Sequence, residues 1–162
     1  MAYKKNNFVP VFLIAITLSF LFACKQSNSN ENDTPVANEI SDDPLTIDSF
    51  STFPPEIEGC SCYFSNDSTA FKKGKYIYIN DYAQTSFLKI NGVLTKFTQT
   101  EFKEVDKSTT IAKAKSDKYE MTIEVIHGKQ SDEETSLQTG TIKLISKKGK
   151  SIIKAFYGEC GC

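Results

Sequence analysis

Five cysteines hold most of the chemistry this sequence offers. Four of them form two pairs of identical spacing, Cys60-Ser61-Cys62 and Cys160-Gly161-Cys162, and the fifth, Cys24, stands apart at the end of an apolar run. Thiols separated by one residue have three uses: they close disulfides in an oxidising compartment, bind zinc or copper(I) as thiolates, or cycle as a redox dithiol. Zinc sites usually leave roughly two to four residues between paired ligands, and thioredoxin-like redox sites use Cys-x-x-Cys, so this spacing favours disulfides. A thiolate metal or redox module built on Cys60, Cys62, Cys160 and Cys162 is the alternative reading.

The pairing depends on the elements that carry the cysteines. In a strand, residues i and i+2 share a face. Antiparallel neighbours would join Cys60 to Cys162 and Cys62 to Cys160; parallel neighbours would join Cys60 to Cys160 and Cys62 to Cys162. Both arrangements stay open at this level. A bridge inside one Cys-x-Cys would close a tight ring and bend the backbone, which Gly161 eases only in the second pair. Closing a loop of about 100 residues is worth roughly 4 to 5 kcal/mol in the chain-entropy model, and a second bridge beside the first adds much less.

Cys24 has a different setting. Lys4-Lys5, an apolar run from Phe8 to Phe22 and the small residue Ala23 follow one another in the order of an export signal. The run is 15 residues long, shorter than the roughly 18 to 20 needed to span a bilayer, and Pro10 weakens it as a permanent helix. Leu21-Phe22-Ala23-Cys24 resembles the lipobox of bacterial lipoproteins, with Phe22 in the manner of the looser Bacteroidota form. That resemblance implies cleavage before Cys24 and acylation of its thiol and new amino group, by palmitate or similar chains. The competing expectation is a plain secreted protein cut near Ala23, with Cys24 left as a thiol. Setting Cys24 aside leaves an even number of cysteines for disulfides. Two or three acyl chains hold a protein to a bilayer durably, whereas one does so marginally. Lys25 stands where inner-membrane lipoproteins of proteobacteria resemble one another in carrying Asp, so the expected location is the outer membrane, lipid-anchored, on its periplasmic or its surface-exposed face.

Three segments result: a signal peptide at 1–23, the lipidated Cys24 with a flexible linker over 24–44, and a β-rich extracytoplasmic domain at 45–162. The linker is mostly Ser, Asn, Asp and Glu with Pro35 and Pro44, too poor in apolar surface to offset the entropy of ordering it. Its acidic residues Glu31, Asp33, Glu39, Asp42 and Asp43 resemble the acidic tethers of some surface-exported Bacteroidota lipoproteins, and equally suit a solvated linker.

Composition narrows the function classes. Loss of Lys4 and Lys5 with the signal leaves 17 of the 19 basic residues, all lysines, against 20 acidic ones, so nucleic acid is not an expected partner. The absence of arginine removes the side chain best suited to bidentate phosphate or carboxylate clamps. His127, the single histidine, precedes Gly128 at an expected strand end with no nucleophile elbow in the sequence. Asp132-Glu133-Glu134 reads as a solvated turn and lacks the spacing of a calcium loop. No phosphate-cradling glycine loop or dinucleotide fingerprint occurs. A non-enzymatic protein without a cofactor is expected.

The 118 residues from Leu45 suit one domain. Tyr76-Ile77-Tyr78-Ile79, Met121 to Ile126 and Thr141 to Ile145 alternate apolar or aromatic with other residues, the period of strands. Asn91-Gly92 between Ser86–Ile90 and Val93–Phe97 is a strong hairpin signal, and Lys147-Lys148-Gly149-Lys150 acts similarly. Strands are expected near 45–50, 57–64, 75–80, 84–90, 93–98, 100–105, 109–115, 118–127, 139–146 and 151–158, with a short amphipathic helix over Glu101 to Lys118 as a local alternative. The fold class is all-β, a small antiparallel barrel or sandwich with disulfide-linked ends. Neighbouring aromatics such as Tyr63-Phe64 and Phe156-Tyr157 must point to opposite faces, which leaves one of each available to a ligand or to cover the outer sheet.

Gly59-Cys-Ser-Cys-Tyr-Phe64, Lys75-Tyr-Ile-Tyr-Ile79, Leu88-Lys-Ile-Asn-Gly92 and Tyr157-Gly-Glu-Cys-Gly-Cys162 together resemble an uncharacterised family of Bacteroidota lipoproteins. A weaker likeness is to the small β-barrel lipoproteins that inhibit C-type lysozyme, which also carry a lipidated N-terminus and a disulfide. These resemblances imply a membrane-anchored binding or envelope-support module, or else a cell-envelope inhibitor or ligand-binding barrel, whose partner is a protein or a small molecule. Labelled fatty acid supplied to cells is expected to be incorporated into the wild-type chain and not into Cys24→Ser; an unlabelled wild-type chain would remove the anchor.

Overall fold

The computed structural model describes residues 44–162, so the expectations for the signal peptide, for Cys24 and for most of the linker lie outside the described residues. Nine strands and one short helix follow in the order β1 (Ile47–Asp48), β2 (Ser61–Ser65), α1 (Ser68–Lys72), β3 (Tyr78–Asn80), β4 (Thr85–Ile90), β5 (Val93–Glu104), β6 (Thr109–Lys115), β7 (Tyr119–Gln130), β8 (Thr135–Ser146) and β9 (Ser151–Gly161). All neighbours are antiparallel, in the order β4-β3-β2-β9-β8-β7-β6-β5, and β5 pairs back with β4. The sheet is therefore a closed eight-stranded barrel, with β1 added beside the end of β4. Closure removes the free sheet edges that would otherwise invite aggregation.

Alternation sorts the side chains. On β7, Met121 and Ile123 are buried while Glu120 and Glu124 are exposed; on β8, Ile142 and Leu144 are buried while Thr141 and Lys143 are exposed. Leu88, Ile90, Phe97, Ala114, Met121, Ile142 and Leu144 fill one pole, closed over by Ile47. Each fully buried side chain of the Leu, Ile or Phe type stabilises the fold by about 2 kcal/mol. Midway along the barrel, Phe64 and Phe156 stack with ring centroids 4.2 Å apart, and Tyr78 stacks on the other face of Phe64 at 5.3 Å. Two glycines make room for them. Gly158 lies opposite Phe64 and Gly140 opposite Phe156 in the ladder, and a Cβ at Gly158 would run into the Tyr63 carbonyl oxygen and the Phe64 ring.

The Asn91-Gly92 hairpin forms as expected, with φ of 46° and 80°, the two positive values a type I′ turn requires. The turn also fastens the start of the domain. Asn91 Oδ1 accepts from Thr46 N at 2.8 Å, Asn91 Nδ2 donates to Pro44 O at 3.2 Å, and Asp48 Oδ2 accepts from Gly92 N at 2.6 Å.

Several expectations need correction. Residues 101–118 make no helix: β5 runs on to Glu104, and Asp106 Oδ1 accepts from Ser108 N at 2.7 Å to turn the chain into β6. The β-branched run Thr109-Thr110-Ile111 outweighs the helical spacing. The two strands expected at 93–98 and 100–105 are one strand carrying a bulge between Gln99 and Glu101. β2 begins later than expected, at Ser61, because residues 55–60 form turns and bends, and β3 begins later, at Tyr78, because residues 66–75 form α1 and its connections. That helix was missed although its signals are present. Asp67 Oδ1 accepts from Thr69 N and Ala70 N at 2.8 Å, Lys72 occupies the last turn, and Gly74 follows at φ 63°.

α1 explains the outward aromatics. Phe71 stacks on Tyr63 at 5.6 Å and meets Tyr157 edge-on at 5.6 Å, while Phe53 and Tyr76 pack edge-on around Tyr63. Tyr63 and Tyr157 thus join a satellite cluster over β2 and β9, covering the outer sheet. Burial, with Glu159 nearby, holds the Tyr63 phenol above its ordinary pKa.

Gly158→Ala forces the crowded β2–β9 contact apart and is expected to lower the free energy of unfolding by about 2 to 3 kcal/mol. Guanidinium denaturation measures it; an unchanged midpoint would show that the strands tolerate a wider approach.

Candidate functional site

The pole opposite the Asn91-Gly92 hairpin is hollow. Along strand after strand the inward-facing residues change from apolar to polar toward this end: Leu144, Ile142, Gln138 and Ser136 on β8; Met121, Ile123, Val125 and His127 on β7; Ala114, Ala112 and Thr110 on β6; Tyr78 then Asn80 on β3. Between them lies a cavity of about 420 Å³. Cys62, Phe64 and Cys160 line it on the β2–β9 side.

Two bulges shape the mouth. The extra residue at Thr100 reverses the alternation of β5, so that Phe102 faces Ala112 on the lumen side as Phe97 and Gln99 do further back. A second register shift, between His127 and Gln130, interrupts the β7–β8 ladder at the same end. Bulges commonly re-aim side chains at barrel rims. Tyr82 and Phe102 stand at the rim, 54% and 57% exposed. Tyr82 has φ 59°, unusual for a bulky residue. Asn80 holds it there: its Oδ1 accepts from Tyr82 N at 3.2 Å and from Cys62 N at 3.1 Å, and its Nδ2 donates to the Tyr78 hydroxyl at 3.1 Å.

Gln138 is the most buried polar side chain of the cavity, 2% exposed. Its Nε2 donates to Ser136 Oγ at 2.7 Å, and its Oε1 has no partner. A buried acceptor without a donor costs roughly 1 to 3 kcal/mol. Ser65 Oγ is also unpartnered, but it does not line the cavity. The lining holds no carboxylate and no ammonium group. Tyr78 stays uncharged well into the alkaline range, because burial pushes its phenol from 10.0 up to about 12 against the opposing hydrogen bonds of Asn80 and Ser86.

The four cysteines of the two Cys-x-Cys pairs are placed. Cys60 is bonded to Cys162 and Cys62 to Cys160, with Cα atoms 4.0 Å apart in both pairs. The antiparallel pairing holds and the parallel alternative is excluded, since β2 and β9 run antiparallel with Cys62 opposite Cys160 and Ser61 opposite Gly161. The short Cα separation is that of the closer class of antiparallel pairs. Sulfurs joined in this way present no thiolate to zinc or copper. Among the described residues no group of three or more His, Cys, Asp or Glu could hold a metal ion.

His127 does not end its strand, which continues to Gln130. It is exposed at the mouth, where its Nε2 lies 3.3 Å from Thr110 Oγ1. Hydroxyl and imidazole in contact suggest a nucleophile and base, but no orienting carboxylate contacts the ring among the described residues, so the pair offers hydrogen bonds rather than a triad. Asp132, Glu133 and Glu134 are exposed in the β7–β8 loop, with Asp132 Oδ1 accepting from Glu133 N at 2.8 Å.

Gln138, Asn80, Gln99 and Thr110 were not expected as site residues. Their signal was a polar residue in the inward phase of a strand, visible in Gln138-Thr139-Gly140-Thr141-Ile142-Lys143-Leu144 once that phase is known. What the fold and cavity define is a closed, disulfide-stapled antiparallel barrel whose lumen at one pole holds no carboxylate or ammonium group. No family model, curated protein or solved structure matches the chain.

The sign of the Tyr78 shift sets an alkaline limit. A phenol whose folded pKa lies above its unfolded value contributes stability that is fully present below about pH 10 and is lost as pH rises through about 12. Absorbance titration should show one of the tyrosines ionising near pH 12, and that step should vanish in Tyr78→Phe; a normal titration of every tyrosine would contradict the burial.

Proposed function

We propose that this chain is a lipid-anchored lipoprotein of the outer membrane whose barrel is a non-enzymatic binding module, holding a small molecule in its hollow pole. The observation that carries the reading is the 420 Å³ cavity, in a barrel whose opposite pole is packed with side chains. Small eight-stranded barrels are either filled by their own side chains or hold one small ligand. Ligand pockets span about 300 to 1,000 Å³ and are mostly apolar with a few placed polar groups, which describes this lumen.

Four further features support it. The lipobox-like Leu21-Phe22-Ala23-Cys24 supplies an anchor, and the two disulfides suit an oxidising compartment. The described residues begin at the packed pole, away from the mouth, where Asn91 Nδ2 donates to Pro44 O. The Thr110–His127 contact without an orienting acid favours binding over catalysis.

The lipidated protein, purified from membranes and extracted with organic solvent, is expected to release a low-molecular-mass compound in near-stoichiometric amount by mass spectrometry. Ala112→Phe, which fills the lumen, should release none. Identical extracts from the two proteins would overturn the binding role.

A further inference from the structure

Resting on the lumen as a binding site, the chemistry of its wall narrows what can enter. No lining residue bears a carboxylate or an ammonium, and the one basic side chain, His127, stands exposed at the mouth, so a charged group that reached the inner wall around Gln138 would be stripped of water with no opposite charge beside it. Phe64, Ile123 and Val125 make much of the inner wall apolar, and Tyr82 and Phe102 add ring faces at the rim. Against this background Gln138 Oε1 is buried, without a donor, on a side chain that points into the lumen. The terminal torsion of glutamine is broad, so the amide can turn to meet a group that enters.

We propose that the hollow pole takes an uncharged, largely apolar molecule carrying one hydrogen-bond donor, a hydroxyl or an N–H, which Gln138 Oε1 accepts. The rim rings cover the apolar body and the amide sets its orientation. A ligand with two or more unmatched donors or a full charge is rejected, because the wall cannot satisfy it.

Three probes that share one ring system separate these requirements: indole, with a single N–H; 1-methylindole, without it; and indole-3-acetate, which adds a carboxylate. The full-length, ¹⁵N-labelled lipidated chain in lipid nanodiscs is titrated with each, following the side-chain amide resonances of Gln138, Asn80 and Gln99. Partitioning of a probe into lipid does not move these lumen signals. Indole is expected to shift all three saturably, 1-methylindole to bind about fivefold to tenfold more weakly, and indole-3-acetate at least about tenfold more weakly. In Gln138→Met, read at Asn80 and Gln99, indole and 1-methylindole should bind alike. Equal affinity of the wild-type protein for all three probes, lost in Ala112→Phe, would overturn the neutral-donor class and leave lumen binding standing. Lumen resonances unmoved by every probe, with the spectrum otherwise that of a folded barrel, would overturn both.

Discussion

The seam between the first and last strands of the barrel is the constraint on which the rest depends. β2 and β9 are nearly 100 residues apart in the chain, and the register that sets Cys62 opposite Cys160 also sets Phe64 opposite Gly158. A slip of one residue would turn every inward side chain of one strand outward. Two disulfides at consecutive same-face positions exclude that slip. One would suffice to close the loop in entropic terms, so the second acts chiefly on register.

From that register follow both the solid and the hollow parts of the barrel. Gly158 and Gly140 leave space for the Phe64–Phe156 stack, which stands between the packed pole and the cavity. Beyond it the wall is mostly apolar, with a few polar groups and no carboxylate or ammonium. Aliphatic packing stabilises one end, while the other carries an unpartnered glutamine oxygen and a tyrosine at positive φ. Local costs of this kind, of order 1 to 3 kcal/mol each, persist where the surrounding structure outweighs them and cluster at functional sites. The lumen fits that description: the stabilising packing and the costly groups lie at opposite poles of one sheet.

The outer surface follows the same economy of small elements. α1, only five residues long, is anchored by the Asp67 cap and brings Phe71 across Tyr63 and Tyr157. It covers outward aromatics that alternation alone leaves bare, which is why the sequence pattern admitted them as ligand contacts and the folded chain does not.

Alternation, turn residues and cysteine spacing were enough to read an all-β domain, the Asn91-Gly92 hairpin and sulfurs meant for each other, because each rests on near neighbours in the chain. Thr100 could not be recognised as a bulge, nor Phe102 as a lumen residue, since a bulge exists only relative to the strand paired with it. Gln138 looked like an ordinary polar residue in a strand for the same reason: its face is inward only after β7 and β9 have fixed the phase of β8. The choice of barrel over sandwich, the antiparallel cysteine pairing and the cavity all depend on contacts between distant segments. Local sequence therefore determined what each segment prefers, and the closure of β4 on β5 with β2 on β9 decided which side of each strand became a site.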